Sequence, residues 1–318
     1  MVQTLLVLVR DLKLPDEIRM LGTGFFLRDA DFAYYASQLS RQIMQQRVGL
    51  QLGEQHRVKL PETGFCEQLI RPGCRFQLTR LDHSDRVTLK YSPKPGFESI
   101  LTVSAMQRYE RLFGLLLEAN MCLYELQRMH AGWRHQQKGE RTVVFLRFRM
   151  EAMEFVSSVL RYFHEVGLAP WHLFLVSLDA CEGVGVSAGG EERWSCPRGR
   201  DRFPVRDLKT LKEAHDSMLD QICWFLLLGP EQGSVLEVLR DIFSCIRFVC
   251  GLVGRAYTLP QLVEAVARLK GQIDVFVKVL TRMKHLDAPA GLGDATIGYG
   301  ALESLLLFVN FNRYYLND

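Results

Sequence analysis

Gly185-Val186-Ser187-Ala188-Gly189 is the stretch whose residue types and spacing come nearest to covalent chemistry. It matches the pattern in which a serine sits on a sharp turn between a strand and a helix, exposed for attack on a carbonyl. Gly183, Gly185 and Ala188 also fit the loose dinucleotide fingerprint, whose small residues let backbone approach a pyrophosphate. Both patterns need a strand before and a helix immediately after. Phe174 to Leu178 can serve as the strand, but GGEERWSCPRGRDRFP is a poor helix. No strand and helix alternation flanks the motif. A polar loop between Asp179 and Pro204 is the better reading, and an enzyme using Ser187 or His215 is the weaker alternative.

Metal chemistry finds no donors at the right spacing. There is no C-x-x-C and no H-E-x-x-H. Cys245 and Cys250 lie five apart, as do His130 and His135, so on a helix each pair diverges. His215 falls on an apolar helical stripe with no obvious catalytic partner, which suits a packed and hydrogen-bonded histidine. Glu151 and Glu154 have solvent-face spacing. Neither a cofactor nor a metal is expected, and no guanine nucleotide site appears, because no phosphate-cradling glycine loop carries a lysine.

The totals agree with a globular, non-secreted chain. Its 318 residues are 48% hydrophobic and 24% charged, with a formal charge of +3. That balance gives no argument for nucleic acid. The opening MVQTLLVLVR lacks a basic leading region and a cleavage site, and no apolar run approaches the ~20 residues that span a bilayer. Eight cysteines are read as reduced, in the cytosol.

The elements that must position any site are mainly helical. Residues 1–47 form a lead-in with one helix, marked by Phe32, Tyr35, Leu39 and Ile43. Residues 48–100 are irregular or extended, with alternation at Cys74, Phe76, Leu78 and at Val87, Leu89, Tyr91, so a small β-like segment is expected near 70–92. From 101 to 318 the spacing predicts five long, antiparallel-type helices and a closing one. Their stripes are carried by Tyr109 and Phe113, by Phe148 and Phe155, by Leu211 and Met218, by Leu239 and Ile246, and by Leu269 and Phe276. Ser234 with Glu237 and Thr258 with Gln261 fit capping boxes that open two of them. The fold class is all-α, a bundle of long unequal helices. Arg141, Arg147, Arg149 and Arg161 make the second helix basic, either a solvated face or a docking face for an acidic protein.

Several segments together resemble the C-terminal, gamma-tubulin-binding domain of the gamma-tubulin complex proteins. The closing LESLLLFVNFNRYY looks like that family's leucine-rich end with an asparagine and tyrosine tail. LKYSPKP at 89–95, followed by Ile100, Leu101 and Thr102, is similar to its extended lead segment, and Ala105 to Gln127 to the helix after it. Arg161-Tyr162-Phe163-His164 with Trp171, and the Leu208 to Ile222 helix containing His215, resemble later parts of the domain. Lys94-Pro95 stands where the family often has a tryptophan. The family's N-terminal domain has no counterpart here, which implies a fragment, a short isoform or a reduced member.

The resemblance implies a non-enzymatic role: gripping gamma-tubulin, alongside other gamma-tubulin complex subunits, so that microtubule nucleation starts from a preformed layer. It implies a place in the cytoplasm and cytoskeleton, at the centrosome or another microtubule-organising centre, without nucleic acid or membrane insertion. Tyr91, Lys94, Arg108, Arg147, Arg161 and His215 are the candidate protein-binding residues. Leu305, Phe308, Phe311, Tyr314 and Tyr315 are read as a C-terminal lock on the fold. The alternative function is a general helical scaffold or adaptor for another cytosolic protein.

Overall fold

The computed structural model describes residues 9, 12–50, 75–80, 86–133, 140–182, 207–252, 258–283 and 295–310. Helix α1 (Leu14–Phe25) carries Pro15 in its first turn, where the lost N–H would have had no helical partner, and Asp16 and Glu17 at the positive end of its dipole. Helix α2 (Ala30–Leu50) is opened by Asp29, whose carboxylate accepts the Phe32 N–H at 2.8 Å. The lead-in thus holds two helices where one was expected. Gly22 and Gly24 make α1 read as broken, yet both are bare because aromatic rings press on the helix backbone. A Cβ on Gly22 would lie 2.2 Å from the Trp171 ring, and one on Gly24 would lie 2.6 Å from Phe76.

The β-like segment is an antiparallel hairpin of β1 (Phe76–Arg80) and β2 (Val87–Tyr91), with Phe76 opposite Tyr91 and Leu78 opposite Leu89. Alternation decides its faces: Phe76, Leu78, Val87, Leu89 and Tyr91 are buried, and Gln77 and Lys90 are exposed. The buried face covers helix α3 (Val103–Trp133), about 46 Å long. Thr102 Oγ1 caps α3 by accepting the Ala105 N–H at 3.2 Å. Its apolar residues are buried almost all round, from Ala105 and Tyr109 to Leu126 and Met129. Its position is central, since α3 touches α1, α2, β2 and three later helices, while one stripe with Gln107 and Arg111 stays open.

Helix α4 (Glu140–Tyr162) returns along α3 and widens into a π turn over Phe163–Gly167. Tyr162 Oη donates to the Phe225 carbonyl at 3.0 Å and pins this end in place. Helix α5 (Ala169–Glu182) covers Phe174 to Leu178, the run that the enzyme reading would have needed as a strand. Trp171, Phe174, Leu175 and Leu178 bury a stripe at steps of three and four, a helical period that the short apolar run conceals. Helix α6 (Leu208–Phe225) opens with an unforeseen capping box: Asp207 Oδ1 accepts the Thr210 N–H at 2.8 Å, and Thr210 Oγ1 accepts the Asp207 N–H at 2.9 Å.

Helix α7 (Gly233–Leu252) follows a short 3-10 turn at Pro230–Gln232. The start is set by Gln232, whose side chain accepts the Gly229 N–H at 3.0 Å, and not by Ser234 with Glu237. Ser234 lies one turn too late, inside the helix. Helix α8 (Leu259–Met283) does use its expected box, with Thr258 N–H donating to Gln261 at 2.9 Å. Helix α9 (Ala295–Val309) closes the bundle against α4, α6 and α8.

Pair order gives the directions. Arg111 meets the Leu228 carbonyl, Arg240 meets Glu118, and Cys122 meets the Phe243 carbonyl, so α3 and α7 run parallel. Lys270 meets Glu151 and Phe276 meets Phe155, so α4 and α8 also run parallel. The uniformly antiparallel expectation is corrected: the crossover through α5 and α6 returns the chain to the end where it began, as in bundles with a long connection. One cluster of buried side chains runs from Val9 to Val309, so the described parts of 1–47, 48–100 and 101–318 share a core.

Candidate protein-binding face

Helix α4 spends one face on the core and leaves the other bare. Phe145, Phe148, Ala152, Phe155, Val156 and Val159 are buried. Val143, Arg147, Met150, Glu154, Ser157 and Arg161 follow one another at steps of four and three, and all are exposed. They mark a line about 27 Å long on one side of the helix. Val143 is 67% exposed, Met150 70%, and Leu146 beside them 44%. Apolar side chains this open, at helical spacing and flanked by arginines, are what a protein interface uses as anchors. Arg147 Nε donates to Glu151 Oε1 at 3.0 Å, and Lys270 of α8 reaches the same oxygen at 3.3 Å, which braces the arginine's orientation.

The other residues expected to bind are engaged within the fold. Glu17 is 2% exposed, and its carboxylate accepts from Tyr91 Oη and, at 2.6 Å, from Lys94 Nζ. Those two side chains therefore tie the end of β2 and the segment after it to α1. Arg108 donates to Asp216 Oδ1 at 2.9 Å, to the Asp216 carbonyl at 3.1 Å and to Asp220 at 3.0 Å, joining α3 to α6. His215 is fully buried, with Nε2 3.1 Å from Tyr109 Oη and the Phe174 ring beside it. Burial, reinforced by Arg108, pulls the imidazole down to about 3, so it is neutral at ordinary pH. Burial likewise pushes the Tyr109 phenol up.

At the C-terminal end, Leu305 is fully buried, and Phe308 packs edge-on against Tyr162 with ring centroids 6.4 Å apart. Phe311, Tyr314 and Tyr315 lie outside the described residues, as does the motif from Gly183 to Gly189. Cys122, Cys223, Cys245 and Cys250 are free and buried, and burial pushes the Cys122 thiol up to about 12 and the Cys223 thiol to about 11. Thiols so protonated behave as small hydrophobes. Among the described residues no group of three or more His, Cys, Asp or Glu side chains is placed to hold a metal, and no helix is long and apolar enough to cross a membrane.

Val143, Leu146 and Met150 were missed by the sequence reading, although their signal was present. They repeat at steps of three and four, out of phase with the Phe145 and Phe148 stripe, so they cannot share its core.

The class defined by this architecture is an all-α bundle braced by a small hairpin, with side chains committed to packing and to helix ties. The family model for the gamma tubulin complex component C-terminal region matches residues 30–315, and the chain belongs to that family, one of structural components of gamma-tubulin complexes. No curated protein matches the chain.

Proposed function

We propose that this chain binds gamma-tubulin and holds it in a fixed orientation within a microtubule-nucleating complex. The observation that carries the reading is the family match across residues 30–315. The work is positioning: a bundle tied internally by Arg108, Glu17 and Tyr162 presents its partner rigidly, which lowers the entropic cost of the first tubulin associations. No bond is made or broken by this chain. The binding unit is the bundle from residue 101 onward, and the contact surface is the exposed face of α4, with Arg147 and Arg161 flanking Val143, Leu146 and Met150. Other gamma-tubulin complex subunits are its companions, and its place is at cytoplasmic microtubule-organising centres such as the centrosome.

The test is co-precipitation of purified gamma-tubulin with the wild-type chain and with an Arg147→Glu, Arg161→Glu variant. Both arginines are exposed, so the variant is expected to fold, and it should retain less than a tenth of the bound gamma-tubulin. Retention of gamma-tubulin by the variant at wild-type levels would remove α4 from the contact. Failure of the wild-type chain to retain it would remove the function.

A further inference from the structure

The α4 face leaves a second surface unexplained, a groove of about 930 Å³ running along α3. Its floor follows one stripe of α3 from Gln107 to Met121, about 21 Å, through Arg111, Gly114 and Glu118. One wall is α7, through Leu236, Arg240 and Arg247, and the other is α2 and β2, through Met44 and Arg86. No residue of α4 lines it.

Gly114 stands at the middle of that floor, inside a 31-residue helix. Glycine in a helix interior is destabilising relative to alanine. Gly22 and Gly24 are bare because rings press on them, but a Cβ on Gly114 would meet nothing within 4 Å. Nothing among the described residues requires the missing side chain. What it does is keep the floor low, so that another backbone can come close.

The charge of the groove selects the partner. Four arginines line it against two glutamates, Glu110 and Glu118. Glu118 is already shared by Arg86 and Arg240, each at 3.3 Å. Arg111 donates to the neutral Leu228 carbonyl at 3.0 Å, and Arg247 to the neutral Ser244 hydroxyl at 3.4 Å and the Met44 sulfur at 3.9 Å, with the charge of Glu125, already paired to Arg41, acting on Arg247 only from a distance. The uncharged lining mixes apolar side chains with the polar Ser40, Thr88 and Gln107, and Met44 and Leu236 are its partly open apolar members. Among the described residues no aromatic ring lines the groove, so it offers no base-stacking platform for a nucleic-acid strand. Carboxylates at the flanks and aliphatic side chains facing inward are the complement that remains.

We propose that this groove docks an acidic amphipathic helix of about four turns contributed by a protein partner, its aliphatic side over Gly114 and its carboxylates towards Arg111 and Arg247. The site is separate from the α4 face and stands or falls independently of gamma-tubulin binding.

The test is fluorescence anisotropy of the full chain with a labelled 14-residue peptide of leucine and glutamate, leucines at steps of three and four. A leucine and lysine peptide of the same pattern and a 14-nucleotide oligo-dT are the comparison probes. The acidic peptide is expected to bind, more weakly as salt rises, and the other two to bind at least tenfold more weakly. Gly114→Leu should weaken the acidic peptide at least tenfold with a thermal midpoint equal to or above wild type, since it fills the floor without crowding the fold. Arg86→Glu should weaken it severalfold, and Arg147→Glu with Arg161→Glu should leave it unchanged. Equal binding by wild type and Gly114→Leu, equal or tighter binding of oligo-dT, or loss of binding on reversing the α4 arginines would each overturn the proposal.

Discussion

His215→Gln is expected to remove part of the acid sensitivity of this fold without removing the fold. The imidazole is buried among Tyr109, Phe174 and α6, and the charge facing it is the Arg108 guanidinium, itself held by Asp216 and Asp220. Burial first, and Arg108 second, depress its folded value from 6.5 to about 3. The neutral form is therefore the one the folded chain holds, while the unfolded chain takes up a proton below 6.5. The contribution is fully present above that value and is lost as pH falls towards about 3. Each pH unit in that window is worth about 1.4 kcal/mol, so at pH 5 the loss from this one residue is about 2 kcal/mol. Glutamine keeps a polar atom for Tyr109 and does not titrate. Urea unfolding followed by tryptophan fluorescence at pH 8 and pH 5 reads the effect, with wild type losing about 2 kcal/mol more than the variant between the two. His164 and His172, also depressed by burial and by Arg28, lose stability in the same direction in both proteins and cancel in the difference. An equal loss in the two proteins would refute the burial argument for His215.

Two pairs of substitutions test the packing by thermal or urea midpoint. Gly22→Ala drives a Cβ to 2.2 Å from Trp171 and should cost about 1–3 kcal/mol, while Gly114→Ala, with open space, should gain about 0.5–1 kcal/mol from helix propensity. The same mutation at two helix glycines should therefore change sign. Leu305→Ala, fully buried on α9, should cost about 2–5 kcal/mol, and Leu307→Ala, 65% exposed two residues on, should stay within about 0.5 kcal/mol.

The helical stripes of α3, α4, α6, α7 and α8 were legible because each buries one face, and burial writes a period of 3.6 into the sequence. Where exposed positions are also apolar the signal fades: α5 carries Leu173 and Val176 on its open side, so its short apolar run reads equally as a strand, and Trp171 with Leu178 settles it only once α1 and α6 are seen around it. Helix α1 was not read from the sequence, and its two interior glycines lie against the Trp171 and Phe76 rings, far along the chain. The capping signal read at Ser234 and Glu237 fits the spacing rule, but the Gly229 to Gln232 bond is what opens the turn before α7. The parallel course of α3 with α7 depends on contacts such as Glu118 with Arg240, which no local pattern encodes.

The candidate face was half legible. Arg147 and Arg161 fall out of phase with the buried stripe of α4 and are exposed. Tyr91 and His215 carry the same polar, aromatic character as interface residues, but their partners Glu17 and Tyr109 sit 74 and 106 residues away. The apolar stripe already suited His215 to a packed, hydrogen-bonded place, whereas the inward turn of Tyr91 is seen only in the fold.

The most direct measurement of the central claim is the mass of the complex formed with purified gamma-tubulin, read by size-exclusion chromatography with light scattering. A species of the summed mass of one chain and one gamma-tubulin, lost when Arg147 and Arg161 are both reversed to glutamate, is the expected result. Two separate peaks at the masses of the free proteins, at micromolar concentrations of each, would contradict it.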